Sequence, residues 1–218
     1  MKHYLLILLI GLCAMSIQAQ EVADTNGNYG IFVDNRDGKS YKTVKIGNQV
    51  WMAENLNYDA EIDGYFYEYH ASNGITYGRL YNWKTAKKVC PAGWHLPSDT
   101  EWKELEMYLG MSKSEVDNTR RGADVGGKLK EAGTAHWTHW GRSNSGATNE
   151  SGFTALPGGY RHAFGTFANM GYMGCFWSST EDNYGNARFR KLTFGYENIS
   201  RAWSNKRNCY SVRCIKDE

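Results

Sequence analysis

Residues 83–102, WKTAKKVCPAGWHLPSDTEW, decide how the chain folds. Trp83, Ala86 and Cys90 recur three and four apart and so share one face of a short helix. Pro91 and Gly93 end that helix, and Gly93 to Leu96 reads as a brief extended segment. Ser98-Asp-Thr-Glu101 follows as a capping box, in which the Ser98 side chain satisfies a backbone N–H three residues on and Glu101 reaches back to the cap. Trp102, Leu105 and Leu109 then form the buried stripe of a second helix. The unit is helix, cysteine, short strand, helix. A cysteine at the end of the first helix predicts a staple to a distant partner.

Working outward, residues 1–19 read as a signal peptide. Met1-Lys2-His3 is weakly basic, Tyr4 to Met15 is apolar but too short to span a bilayer, and Ile17-Gln18-Ala19 offers a cleavage site. Cys13 follows Leu12 where lipoprotein processing wants a small residue, so lipid anchoring at Cys13 is disfavoured. No later segment is long and apolar enough for a transmembrane helix. The expected destination is therefore the periplasm, the cell surface or the medium. Beyond the signal stand Cys90, Cys175, Cys209 and Cys214, and an even number in an exported chain points to disulfides. Four cysteines allow three pairings, and their spacing does not choose among them. With 25 Lys+Arg against 23 Asp+Glu, there is no footprint for nucleic acid or an anionic membrane. Glycine and tyrosine are plentiful (24 and 15) and proline is scarce (3), which suits a loop-rich, β-containing domain. No internal repeat or linker divides the chain, so residues 20–33 are a polar leader and first strand, and 34–218 a single domain.

Along that domain, Asp34-Asn-Arg-Asp-Gly38 reads as a turn; it lacks the terminal bidentate Glu of a calcium loop. Tyr41 to Ile46 and Gln49 to Met52 flank Gly47-Asn48, which predicts a hairpin with a type II′ turn. Tyr65 to Tyr69 reads as a strand, with Ser72-Asn73-Gly74 turning back toward Tyr77 to Tyr81. Ser112-Lys-Ser-Glu115 is a second capping-box match, predicting a short helix to about Arg121 with Gly122 as its stop. Residues 126–133 have room for one helical turn. From Thr134 to Tyr172 no period of either kind is sustained, which predicts a long loop region, a common seat of function. Phe176 to Ser179, Ala187 to Phe194 and Tyr210 to Ile215 read as strands of a small antiparallel sheet.

These stretches together resemble a known family. Trp83-x-x-Ala86-x-x-x-Cys90, Gly93, His95-Leu96, Ser98 and Glu101 look like the first half of a C-type-lectin-like domain. The fuller pattern is similar to the Fibrobacter succinogenes major paralogous domain family. It appears here as Val44-x-Ile46-Gly47-x-Gln49-x-Trp51-Met-x-Glu-Asn-Leu56, Tyr77-Gly-x-Leu-Tyr-Asn-Trp83 and Cys90-Pro-x-Gly-Trp-His-Leu-Pro97. Gly152-Phe-x-Ala-Leu-Pro-x-Gly159, Phe176-Trp-Ser-Ser179 and Ser211-Val-Arg-Cys214 complete it. The resemblance implies an α+β, C-type-lectin-like fold, with two main helices packed on small antiparallel sheets and long loops. It also implies the pairing Cys90–Cys214, leaving Cys175 with Cys209. It does not carry a function, since lectin-like and formylglycine-generating-enzyme-like relatives do different work on one scaffold.

Calcium-dependent sugar binding in true C-type lectins uses a Glu-Pro-Asn-type loop and a Trp-Asn-Asp strand, whereas here Trp177 precedes Ser178-Ser179. His136 and His139 stand three apart as metal ligands would, but no third ligand is near, and a surface role is the simpler reading. No Gly-x-Ser-x-Gly elbow frames Ser178 or Ser179 as a nucleophile. Trp137 and Trp140, in a polar loop, are candidate ligand-binding residues with Tyr160, Arg161 and His162 after the Pro157-Gly-Gly turn. Their alternative use is to fill the core beneath the loop. The expected function is non-catalytic binding or adhesion to an extracellular glycan or protein, with no cofactor and no metal. The alternatives are a cysteine oxidase, which needs a free, activated thiol, and a structural surface component.

Overall fold

A computed structural model describes residues 28–138, 144 and 146–218. In chain order the strands are β1 (Tyr29–Val33), β2 (Ser40–Ile46), β3 (Gln49–Met52), β4 (Gly64–Tyr65), β5 (Leu80–Asn82), β6 (Trp94–His95) and β7 (Arg120–Arg121). They continue as β8 (Gly158–Arg161), β9 (Phe167–Met170), β10 (Met173–Glu181), β11 (Asn186–Thr193), β12 (Ile199–Asn205), β13 (Cys209–Ser211) and β14 (Ile215–Lys216). The helices are α1 (Ala71–Tyr77), α2 (Trp83–Val89), α3 (Asp99–Tyr108) and α4 (Val125–Leu129). One sheet runs β1-β2-β3-β14-β6, and a second runs β4-β5-β13-β8-β10-β11-β12-β7 with β9 on β8. The fold is thus α+β with most of its regular structure in sheets.

The helix–cysteine–strand–helix unit forms as its residues dictate. In α2, Trp83, Ala86 and Val89 are buried, and the Asn82 side chain caps the helix by accepting from Thr85 N. The capping box on α3 is complete, with Glu101 N donating to Ser98 Oγ and Ser98 N donating to a Glu101 carboxylate oxygen. The other Glu101 oxygen lies 2.7 Å from His95 Nε2, and His95 Nδ1 meets Asp217, so the box also ties down the C-terminal end. The hairpin forms with Gly47 at φ 64°, as its turn requires.

Strand β10 is the axis of the core. Phe176 faces one cluster, with Trp51, Trp102, Leu105 and Phe153, while Cys175 and Trp177 face another, with Tyr81, Trp83, Tyr210 and Val212. Alternation across a strand buried on both faces produces this division. The indole N–H groups inside are satisfied by carbonyls: Trp83 donates to Ser178 O, Trp102 to Trp177 O and Trp177 to Tyr81 O.

Cys90 and Cys214 form a disulfide. The second expected bridge is absent, since Cys175 and Cys209 are free and buried. Register explains this. Strands β10 and β13 run parallel with Phe176 opposite Ser211, which sets Cys175 beside Tyr210 on one face. Cys209, one residue earlier, faces the opposite side with Tyr67 and Leu80.

Other expectations need correction. The Tyr65–Tyr69 strand is only Gly64–Tyr65, followed by a 3-10 turn at Tyr67–Tyr69, and residues 72–74 lie inside α1. Gly74 sits there because the Phe66 ring lies where a Cβ would be, 2.1 Å away. No helix runs from Ser112 to Arg121. The chain makes one turn onto the Ser112 carbonyl, then Arg121 Nε takes the Val116 carbonyl and Arg120–Arg121 pairs with β12. The Thr134–Tyr172 region holds the β8–β9 hairpin, and the C-terminal sheet is large and mixed, with β10 parallel to β8 and β13.

Buried charges lock α3 to this sheet. Glu106 binds Arg121 and, at 2.6 Å, Arg190, while Asp99 binds Arg190 at 2.7 Å and Arg201 at 2.7 Å. Burial alone raises the Asp99 pKa, but the Arg201 hydrogen bonds and the Arg190 charge outweigh it and hold the carboxyl well below its ordinary value. A depressed carboxylate contributes stability above its unfolded pKa of about 4, and loses it as pH falls through the folded value. Asp99→Asn is therefore expected to destabilise most near neutrality. Urea midpoints from neutral to strongly acidic pH should show the gap to wild type closing below about pH 4; a constant gap refutes the linkage.

Candidate functional site

The β8–β9 hairpin, β4 and the 3-10 turn bring aromatic rings around Arg161. Its guanidinium lies 4.1 Å over the Tyr65 ring and 5.8 Å from that of Phe167, and donates to the Tyr69 hydroxyl at 3.3 Å. Tyr69 stands edge-on to Phe167 at 5.1 Å and to Tyr65 at 6.2 Å, and Tyr67 packs on Phe167 at 5.2 Å. Strand register sets the pairing, because Arg161 lies opposite Phe167 across the hairpin.

The backbone holds this cluster at a cost. Tyr69 has φ 60° and the preceding Glu68 φ 51°, a region that bulky residues rarely occupy. Such strain persists where surrounding contacts over-determine it, and it gathers at ligand clamps. Yet Tyr69 is 62% exposed, and Phe164 at the hairpin tip is 93% exposed. The strain thus presents a ring to solvent.

Of the four predicted ligand-binding residues that the structure describes, only Arg161 belongs to this surface. Tyr160 and His162 take the other face of the strand by alternation; their rings are 4.8 Å apart, and Tyr160 packs on Tyr210 at 5.9 Å. Trp137 is fully buried, with its indole N–H donating to Ala155 O at 3.0 Å, so the core-filling alternative holds for it. Trp140 and His139 lie outside the described residues. His136 Nδ1 bonds the Glu131 carboxylate, and among the described residues no three His, Cys, Asp or Glu side chains group as metal ligands. The sequence does not single out Tyr65, Tyr69, Phe164 or Phe167; the aromatic run 65–69 signals part of the set, but nothing local ties it to Arg161.

Both free thiols are deep. Burial pushes Cys175 up to about 12 and Cys209 up to about 11, the latter despite the nearby Arg161 charge. Among the described residues no helix is long and apolar enough to cross a membrane.

Fold and surface define a disulfide-bonded α+β domain carrying an exposed arginine–tyrosine cluster. The Fibrobacter succinogenes major domain model matches residues 44–216, and the chain belongs to that family. No curated protein and no solved structure matched the chain.

Proposed function

We propose that the protein is an exported, non-catalytic binding module of C-type-lectin-like fold, whose Arg161 surface grips an extracellular protein. The link from the end of α2 to the C-terminal strands supports the lectin-like reading. The observation that carries the function is Tyr69, exposed, held at φ 60° and hydrogen-bonded by Arg161. Tyrosine and arginine are enriched at interface hot spots, because each offers broad apolar contact together with hydrogen bonds. A cysteine oxidase instead needs a reachable thiolate, and burial holds both free thiols protonated at neutral pH.

Binding of the labelled mature protein to intact and to protease-treated cells tests this. Tyr69→Ala and Phe164→Ser are expected to stay folded and to weaken binding to intact cells by about tenfold or more. Protease treatment should abolish binding; survival of binding to treated cells overturns the choice of a protein partner. Thiol titration of the folded chain should find no reactive group, with Cys175 and Cys209 appearing only on denaturation. A fast-reacting thiol would favour the oxidase.

A further inference from the structure

We infer that His95 is a pH-operated clamp: its protonated ring fastens the C-terminal end of the chain to α3, and deprotonation opens the link. The ring lies between two carboxylates from elements far apart in sequence. Nε2 is 2.7 Å from a Glu101 oxygen in the first turn of α3, and Nδ1 is 2.6 Å from Asp217, just beyond β14.

The number of protons on the ring decides how the clamp works. An ionised carboxylate only accepts, so each contact needs an N–H from the imidazole. The imidazolium has two and satisfies both, whereas the neutral ring has one. Losing the second proton sets a bare ring nitrogen against a carboxylate oxygen, two acceptors that repel, and one contact breaks. Asp217 is the arm that yields. Ser98 N holds Glu101 by donating to its other oxygen at 2.6 Å, and the Glu101 side chain is the less exposed, at 26% against 54%. The end that Asp217 secures is short. Strand β14 meets β6 through the pairs Ile215–His95 and Lys216–Trp94, and Asp217 N donates to Gly93 O at 2.9 Å. Strand β6 is the last in its sheet, so opening the clamp frays an edge and leaves the core packed.

The charges facing the ring fix the direction. Partial burial opposes protonation, but the hydrogen bonds to Asp217 and Glu101 and the charges of these carboxylates outweigh it, holding the His95 pKa above its ordinary value. Glu101 comes from α3 and Asp217 from beyond β14, while Lys216 stands opposite Trp94 on the other face of the sheet. A group raised on folding contributes fully below its unfolded pKa of about 6.5, and loses that contribution as pH rises through the folded value. The clamp is therefore shut in mildly acidic surroundings and opens toward alkaline pH, the reverse of the Asp99 dependence.

The test uses the mature protein with isotope-labelled histidine. NMR titration reads the His95 midpoint, and hydrogen exchange, as a protection factor corrected for the intrinsic rate at each pH, reads the Asp217 amide. The midpoint is expected above about 6.5, and Asp217→Asn should lower it. Protection of the Asp217 amide should be present below the midpoint and lost above it. Asparagine offers both a donor and an acceptor and can meet either form of the ring, so in Asp217→Asn the protection should no longer follow His95. The Asp217 side chain is half-exposed, which makes this a mild substitution, and the wild-type titration stands without it. The inference is overturned if the midpoint is ordinary, if Asp217→Asn leaves it in place, or if protection stays constant across it.

Discussion

Reducing the Cys90–Cys214 disulfide is expected to remove about 4–5 kcal/mol of stability. The two cysteines are 124 residues apart in sequence, and a cross-link closing so long a loop restricts the unfolded chain strongly. On the chain-entropy estimate a loop of this length contributes just under 5 kcal/mol, and native strain only lowers that figure. The bond joins the end of α2 to the segment entering β14, so it links the helix unit to the five-stranded sheet. With a urea slope of about 3 kcal/mol/M, the unfolding midpoint should fall by roughly 1.5 M on reduction. Equal midpoints with and without reductant would show that the unfolded chain gains nothing when the link is cut.

Arg213→Met is expected to cost about 3–5 kcal/mol: orphaned buried acceptors cost about 1–3 kcal/mol each, and the saved desolvation of the cation offsets part of that sum. Arg213 is fully buried where the chain leaves β13 for β14, passing from one sheet to the other. Its guanidinium donates to Asn55 Oδ1 at 2.6 Å, Met52 O at 3.2 Å and Thr154 O at 2.8 Å, and also to Phe153 O. The Phe153 ring lies 4.5 Å away. Burial lowers its pKa to about 9, which leaves it charged at neutral pH. Among the described residues no carboxylate forms a salt bridge with it and Glu54 acts only at longer range, so the acceptors mainly hold the cation, and they are orphaned together when it goes. Methionine fills most of the volume and so isolates this polar effect from packing. Arg213→Lys should lose less, since an ammonium reaches some of these acceptors but not all. A methionine variant as stable as wild type would mean that the saved desolvation of the cation outweighs four lost hydrogen bonds.

Local chemistry accounts for what could be read without coordinates. The capping box at Ser98–Glu101, the Gly47–Asn48 hairpin and the buried faces of Trp83 and Trp102 depend on residues within a few positions of one another, and each formed as expected. The Cys90–Cys214 bond was expected only through the family resemblance, because spacing leaves three pairings open. Tertiary register decided the rest. The second bridge fails because a one-residue offset sends Cys175 and Cys209 to opposite faces of one sheet. The chain at 210–215 looks like one strand, yet Arg213 marks where it changes sheets, and only the convergence of residues 52–55 and 153–154 on its guanidinium shows why. The candidate site follows the same rule. Arg161 was visible as a polar residue after a glycine turn, but its pairing with Tyr65, Tyr69 and Phe167 joins positions up to 102 residues apart, through strand pairings that no local pattern encodes. Trp137 lay in a polar stretch and still turned inward, because Ala155 offered its indole N–H a carbonyl beside an apolar core.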